Sequence, residues 1–366
     1  MAVCLLRAVM NHSFVKLSLV AFAASLSLSS ASAQSVLSLI SSKEATLNQS
    51  NNGSVANGAG TRMFVGRVAS MGSFGRRRAL AKWDVAAAIP AGSRILAVKL
   101  DMWVDTSGGI FPQSTQAYRV LQDWSEGTVV PPRYGGAGAP ATAGSCTWLH
   151  TNYPSQFWNN PGGDFASTPS FNFDMPNLGA ILTPPLAGLI ADVQDMLDNP
   201  ANNHGWLFKT PEIQTANARA ILTHEASGLQ PKLQITYLTP GQTGVYGTGC
   251  PVGNGTLQLN VTGTATGGNV LPITYSNAPS ATLGANFFSL SLDAIGSPVF
   301  PNCSAYLPLG GTIIAGDAFV VSGGVGSSNF TVPSGFPGFL INVQAAVLDS
   351  TVTGFSLSNS GVMLTQ

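Results

Sequence analysis

The chain has 366 residues, of which only 9% are charged and 45% hydrophobic, with 41 Gly and 23 Pro. That balance excludes a helical bundle and a disordered chain, and favours strands joined by many turns. Sixteen basic residues face sixteen acidic ones, which leaves no basic surplus for a nucleic-acid partner.

Residues 1–33 read as a secretory signal. Arg7 and Lys16 make a positive start, Leu17 to Leu28 is apolar or small throughout, and Ala31-Ser32-Ala33 gives the small-residue cleavage pattern. The apolar run is about a dozen residues, short of the ~20 that a bilayer-spanning helix needs. No later segment is long and apolar enough either. The expectation is a secreted chain, extracellular or at the cell surface, that does not span a membrane. Export permits disulfides, and Cys250 with Cys303, in the same half of the chain, is the expected pair. Cys146 is expected to be a buried, inert thiol. As a nucleophile it would need a base, and His150 lies four residues further on, out of reach along a strand.

Within residues 34–238, strands are expected over 62–68, 76–84, 94–104, 116–123, 205–209, 217–224 and 232–237. In Arg94 to Val104, Leu96, Val98, Leu100, Met102 and Val104 share one face, with Lys99, Asp101 and Trp103 on the other. Leu233, Ile235 and Tyr237 repeat the alternation. One segment has helical spacing instead: Leu186, Leu189, Ile190, Val193, Met196 and Leu197 line one face, with Thr183 as expected cap and Asn199-Pro200 as stop. Asp192, Asp195 and Asp198 are then expected on solvated faces.

A charge boundary follows. From Thr239 to Gln366 there is no Lys, Arg or His, and only Asp293, Asp317 and Asp349 are acidic. Together with the Pro- and Gly-containing stretch 239–245, read as a linker, this divides the chain into a first domain (34–238) and a second (246–366). In the second, Leu257, Leu259 and Val261 alternate with polar residues, and Phe339, Ile341, Val343, Ala345 and Val347 form a further stripe. Short strands punctuated by Gly, Asn, Ser and Pro suggest a second β-sandwich. The expected fold class is therefore all-β, with two sandwiches, the first a jelly roll carrying one short helix.

Several strings in order carry a resemblance. Tyr118-Arg119-Val120 precedes Trp124-Ser125-Glu126-Gly127. Then come Cys146-Thr147-Trp148-Leu149-His150, Trp158 with Pro161-Gly162-Gly163-Asp164-Phe165, Asn203-His204-Gly205-Trp206-Leu207-Phe208-Lys209, His224-Glu225 and Pro231 to Tyr237. The set, spanning about residues 43–238, resembles the DNRLRE family of extracellular β-sandwich domains, related to carbohydrate-binding module family 96. Cys146 departs from the family's usual Ala, and Arg76 to Asp84 departs from its "R-x-LLRFD". Residues 246–366, from Tyr246-Gly247-Thr248-Gly249-Cys250 to Leu357-Ser358-Asn359, resemble a C-terminal module of planctomycete-type secreted proteins. The resemblance implies an extracellular or cell-surface setting.

The chain contains no H-E-x-x-H, G-x-S-x-G or C-x-x-C pattern. His224 and Glu225, if on a strand, point to opposite faces and form no dyad. Glu126 and Asp164 could make an acid pair, but both fall in motifs of a domain type regarded as non-catalytic, and a turn role is expected for them. No enzyme is expected. Binding is the favoured role, because sugar recognition uses exposed aromatic faces on a rigid scaffold. The candidate contacts are Trp103, Trp124, Tyr134, Trp148 and Trp158, with Arg76, Arg78 and Lys82 as a basic cluster suited to carboxylates or sulfates. The expected partner is an extracellular polysaccharide, an anionic one included. The alternative is a structural or adhesive cell-surface or matrix protein without a specific sugar. A structural calcium is expected, if anywhere, at Asp164.

Overall fold

The computed structural model describes residues 34–69, 75–213, 216–253, 255–350 and 354–366; the signal-like segment 1–33 lies outside them. Strand accounts for 48% of the structure and helix for 6%, so the all-β class expected from alternation and turn content holds. In chain order, the main elements of the first half are β1 (Ser35–Ile40), β2 (Lys43–Asn48), β3 (Arg62–Arg67), β4 (Arg76–Lys82), α1 (Val85–Ala88), β5 (Arg94–Ser107), β6 (Gln113–Arg119), β7 (Phe171–Met175), β8 (Gly179–Leu182), α2 (Ala187–Asp198), β9 (Trp206–Lys209), β10 (Arg219–Leu222) and β11 (Lys232–Leu238).

Two antiparallel sheets, β1–β11–β5–β8 and β4–β9–β6–β7, supply the eight-strand arrangement of a jelly roll. β2 adds to one edge of β4. β10 follows β11 along the long strand β5 and pairs on its far side with β3, whose last residues meet β4. The two sheets are thus joined on one side into a half-barrel.

The core follows from the period-two pattern. Val98, Leu100, Met102 and Val104 of β5 pack with Leu233 and Ile235 of β11 and with Trp206 and Phe208 of β9. Each such side chain contributes ~1.5–3 kcal/mol on burial. Leu96 departs from the expected stripe. Thr236 pairs with Ala97 but Tyr237 pairs with Ile95, so a bulge at Leu96 reverses the alternation. Ile95 therefore joins the first core, while Leu96 turns outward and packs with Leu238, Leu340, Val362 and Leu364. In α2, Leu189, Val193, Met196 and Leu197 are buried as their spacing predicts. Thr183 is not its cap: Leu186 holds that position, and the Thr183 hydroxyl accepts the Leu100 N–H at 3.0 Å. Asp192 is not simply solvated, since it accepts the Trp206 indole N–H at 2.6 Å and pairs with Arg119.

The second half contains β12 (Thr243–Tyr246), β13 (Gln258–Val261), β14 (Val270–Ser276), β15 (Ala281–Ser289), β16 (Ile314–Ser322), β17 (Val325–Thr331), β18 (Leu340–Asp349) and β19 (Gly354–Leu364). These run in the order β12–β19–β18–β15–β16–β17–β14–β13 as one antiparallel sheet, rolled into a nearly closed barrel. The Asn359 side chain spans the seam, accepting the Leu259 N–H at 2.6 Å and donating to the Leu259 carbonyl at 2.9 Å. Such bonds satisfy an edge that would otherwise be open. Leu257, Leu259, Val261, Ile341, Val343, Ala345 and Val347 line the interior as predicted; Phe339 lies before β18 and is exposed. Cys250 and Cys303 form a disulfide, with Sγ atoms 1.94 Å and Cα atoms 4.5 Å apart. Thr243 begins a strand, so the stretch expected as a linker is partly built into the second sheet.

Candidate functional site

The sequence-derived contact residues separate into core and surface. Trp124, Trp148 and Trp158 are buried with Leu47, Leu80, Val120, Cys146 and Leu207 in a satellite core beneath the long segment between β6 and β7. The Trp124 indole N–H donates to the His204 carbonyl at 2.9 Å, and that of Trp158 to the Thr147 carbonyl at 2.9 Å. Each has an apolar body in the core and a satisfied polar edge. The expectation of three open indole faces is therefore corrected: these rings pin down a loop. Cys146 is wholly buried and burial pushes its thiol far up, which suppresses the thiolate. Tyr134 stays open, 71% exposed, with Arg62 lying 6.0 Å from its ring centroid. Trp103 is half-buried on the outer face of β5.

The basic cluster is not a free cationic patch. Arg78 donates to both oxygens of Glu212 at 2.7 and 3.0 Å and to the Gly162 carbonyl, with its guanidinium 4.8 Å from the Trp148 ring. Arg76 approaches the same carboxylate at 3.4 Å. Lys82 pairs with Asp84 at 3.8 Å. One buried carboxylate thus gathers two of the three predicted cations.

Glu212 also forms one wall of a groove. A cleft of about 620 Å³ opens between the segment after β5 and the segment after β9, lined by Ile110, Phe111, Gln113, Glu212, Ile213 and Asn217. Phe111 is 70% and Ile213 81% exposed. The walls are held from inside. Arg219 is fully buried and donates to the carbonyls of Phe111, Asn217 and Pro176. Asn217 Nδ2 donates to Gln113 Oε1 at 3.1 Å. Glu212 sits at φ 60°, an uncommon conformation for a non-glycine residue, stabilised here by its two arginines. The sequence reading missed this groove, because its residues lie about 100 positions apart; the exposed Ile110-Phe111 pair beside two glycines was the available signal.

A second constellation gathers around Glu44, at the edge of the jelly roll. Glu44 on β2 is completely buried. Ser41 Oγ donates to its Oε1, and its Oε2 shares a short hydrogen bond with His224 Nδ1. The Glu44 N–H donates to Glu126 Oε1 at 2.6 Å, and that oxygen is 3.8 Å from His224 Nδ1. On the other side of the ring, His224 Nε2 lies 3.4 Å from Glu225 Oε1. The loop 54–60 passes close by: a Cβ on Gly58 would stand 1.9 Å from the Glu126 carbonyl oxygen, so only glycine fits. His224 is pushed up to about 9, chiefly by the hydrogen bond that its Nδ1–H donates to Glu44, with burial opposing. Glu126 is pushed up to about 7, chiefly by burial, with the negative Glu225 and Glu44 adding to the shift and the Glu44 N–H and His224 opposing it.

Two expectations change here. β10 ends at Leu222, so His224 and Glu225 lie in a turn, and both contact the cluster instead of facing apart. Glu126 is paired with Glu44 and His224, not with Asp164. Asp164 caps a turn: it accepts the N–H groups of Asn159 and Asn160 and the Asn160 side-chain amide. With N–H donors on both oxygens, it is a poor calcium ligand. Glu44 escaped the sequence reading, although Glu44, Thr46 and Asn48 form a polar row at strand spacing, the mark of a polar interior face. No protein-family model matches the chain, and no curated protein matches it.

Proposed function

We propose that the chain is a secreted, non-catalytic protein that binds extracellular polysaccharide through its first β-sandwich, as the DNRLRE-like motifs imply. The observation that carries this reading is the groove beside Phe111. It combines an exposed aromatic ring and apolar flanks with fixed amide and carboxylate groups, on loops anchored by a buried arginine. Sugar rings present apolar faces edged by hydroxyls, and a preformed cleft of this composition suits them. Because Glu212 already engages both Arg76 and Arg78, the predicted cations are paired within the protein, and a neutral polysaccharide is favoured over a uronan. Affinity electrophoresis of the full-length chain through gels containing neutral and acidic polysaccharides tests this. Retardation by a neutral polymer, lost in Phe111→Ala, is expected; no retardation by any polymer, or equal retardation of both proteins, refutes the groove.

A second reading has its own support. On the outer side of the second barrel, Leu283, Leu348 and Phe355 are exposed around a shallow apolar depression of about 460 Å³. Exposed apolar patches mark association surfaces, which suits a structural or adhesive matrix protein. Concentration-dependent self-association abolished by Leu348→Ser favours that reading. A secreted setting accords with the Cys250–Cys303 disulfide, and among the described residues no helix is long and apolar enough to cross a membrane.

A further inference from the structure

The cluster of buried Glu44 with the half-buried Glu126, His224 and Glu225 has an unbalanced charge. A buried carboxylate requires a counter-charge or a full set of hydrogen-bond donors. The ion pairs found for Glu44, Glu126 and Glu225 all go to one imidazole, that of His224. The neighbouring Lys43 is directed elsewhere, to Asp123 and the Trp124 carbonyl. Among the described residues, the three carboxylates therefore share one ion-pairing side chain.

The spacing is compatible with a coordination set. One ligand atom each from Glu44, His224 and Glu225 lie within 4.8 Å of one another. Ligands on opposite sides of an ion bound at ~2.0–2.4 Å stand ~4–4.8 Å apart, so the three already fall near the span of one shell. A separate observation concerns Glu225: its Oε2 is out of contact with solvent and receives no hydrogen bond. An unsatisfied buried carboxylate oxygen is costly unless something positive reaches it. His224 is also suitably held. Glu44 lies against Nδ1 and Glu225 against Nε2, so the two carboxylates together fix the orientation of the ring.

We propose that Glu44, His224 and Glu225, with Glu126 beside them, bind a divalent transition-metal cation that fastens the start of β2 to the turn after β10. The mixed imidazole and carboxylate donors suit Mn²⁺ or Zn²⁺ better than Ca²⁺, which prefers an all-oxygen shell. The site is structural in character and separate from the Phe111 groove, so it stands or falls independently of sugar binding.

The test uses the purified full-length protein, stripped with chelator and dialysed separately against Mn²⁺, Zn²⁺ and Ca²⁺, with bound metal measured by elemental analysis. One Mn²⁺ or Zn²⁺ per chain is expected, with a rise of several degrees in Tm. His224→Gln and Glu225→Gln, checked for retained circular dichroism, should each lower metal affinity by at least about tenfold. Substoichiometric binding by the wild type, preference for Ca²⁺, or unchanged binding in both folded variants overturns the proposal. Should a variant fail to fold, Co²⁺ titration of the wild type decides. Stoichiometric visible d–d bands of a nitrogen- and oxygen-ligated site support the proposal, and their absence overturns it.

Discussion

The two halves of the molecule satisfy their interior polar groups by opposite means. The first half buries charge: Glu44, Arg77, Asp164, Glu212 and Arg219 all lie inside, each tied to carbonyls, amides or an opposite charge. The second half has almost none, Asp349 apart. Its buried polar groups are neutral, as where Asn342 and Gln344 donate to the carbonyls of Tyr306, Ser291, Ser304 and Ser358, and Tyr275 to Asn286. A neutral network closes a barrel at little electrostatic cost, whereas a charged one creates positions that an ion or a ligand can use. The disulfide of the second half fits the same contrast, since it cross-links the chain without needing charge.

Ways to break this comparison can be ranked by size. Arg219→Met should cost most, ~3–5 kcal/mol, because three carbonyls of the groove walls lose their buried donor; urea unfolding followed by Trp fluorescence measures it, and a loss under ~1 kcal/mol would mean that the charge is dispensable. Replacing both Cys250 and Cys303 by Ser should remove ~2–4 kcal/mol, for a 53-residue sequence separation. That loss should leave polysaccharide retention intact. A pH series comes next, with metal removed by chelator. His224, raised to about 9, contributes stability that is complete below ~6.5 and lost as pH climbs through 9. Glu126, raised to about 7, binds its proton more tightly when folded, so stability also falls between ~4.5 and 7. Both slopes have the same sign, and denaturant midpoints should decline steadily from pH 5 to 9. Glu126→Gln should flatten the acidic half alone. The smallest effect on stability is expected for Phe111→Ala, within ~0.5 kcal/mol for an exposed side chain, although sugar retention should disappear.

What the sequence disclosed follows the same division. Period-two stripes placed β5, β11, β13 and β18, and 3.6-residue spacing placed α2, because those patterns are set by burial on a single face. The bulge that turned Leu96 towards the second barrel was invisible, since it depends on how β11 pairs with β5. The three tryptophans of the long loop were misread because a loop can carry its own small core, and composition does not say which side of a ring meets water. The Glu44 cluster joins residues up to 181 positions apart, which only the folded chain brings together.

Hydrogen–deuterium exchange of the full-length protein, with and without a polysaccharide that retards it in gels, addresses the central claim most directly. Slowed exchange confined to Gly109–Ser114 and Ala216–Asn217, with the second barrel unchanged, is the predicted outcome. Protection centred on Leu283 and Leu348, or none at either place, would contradict sugar binding by the first sandwich.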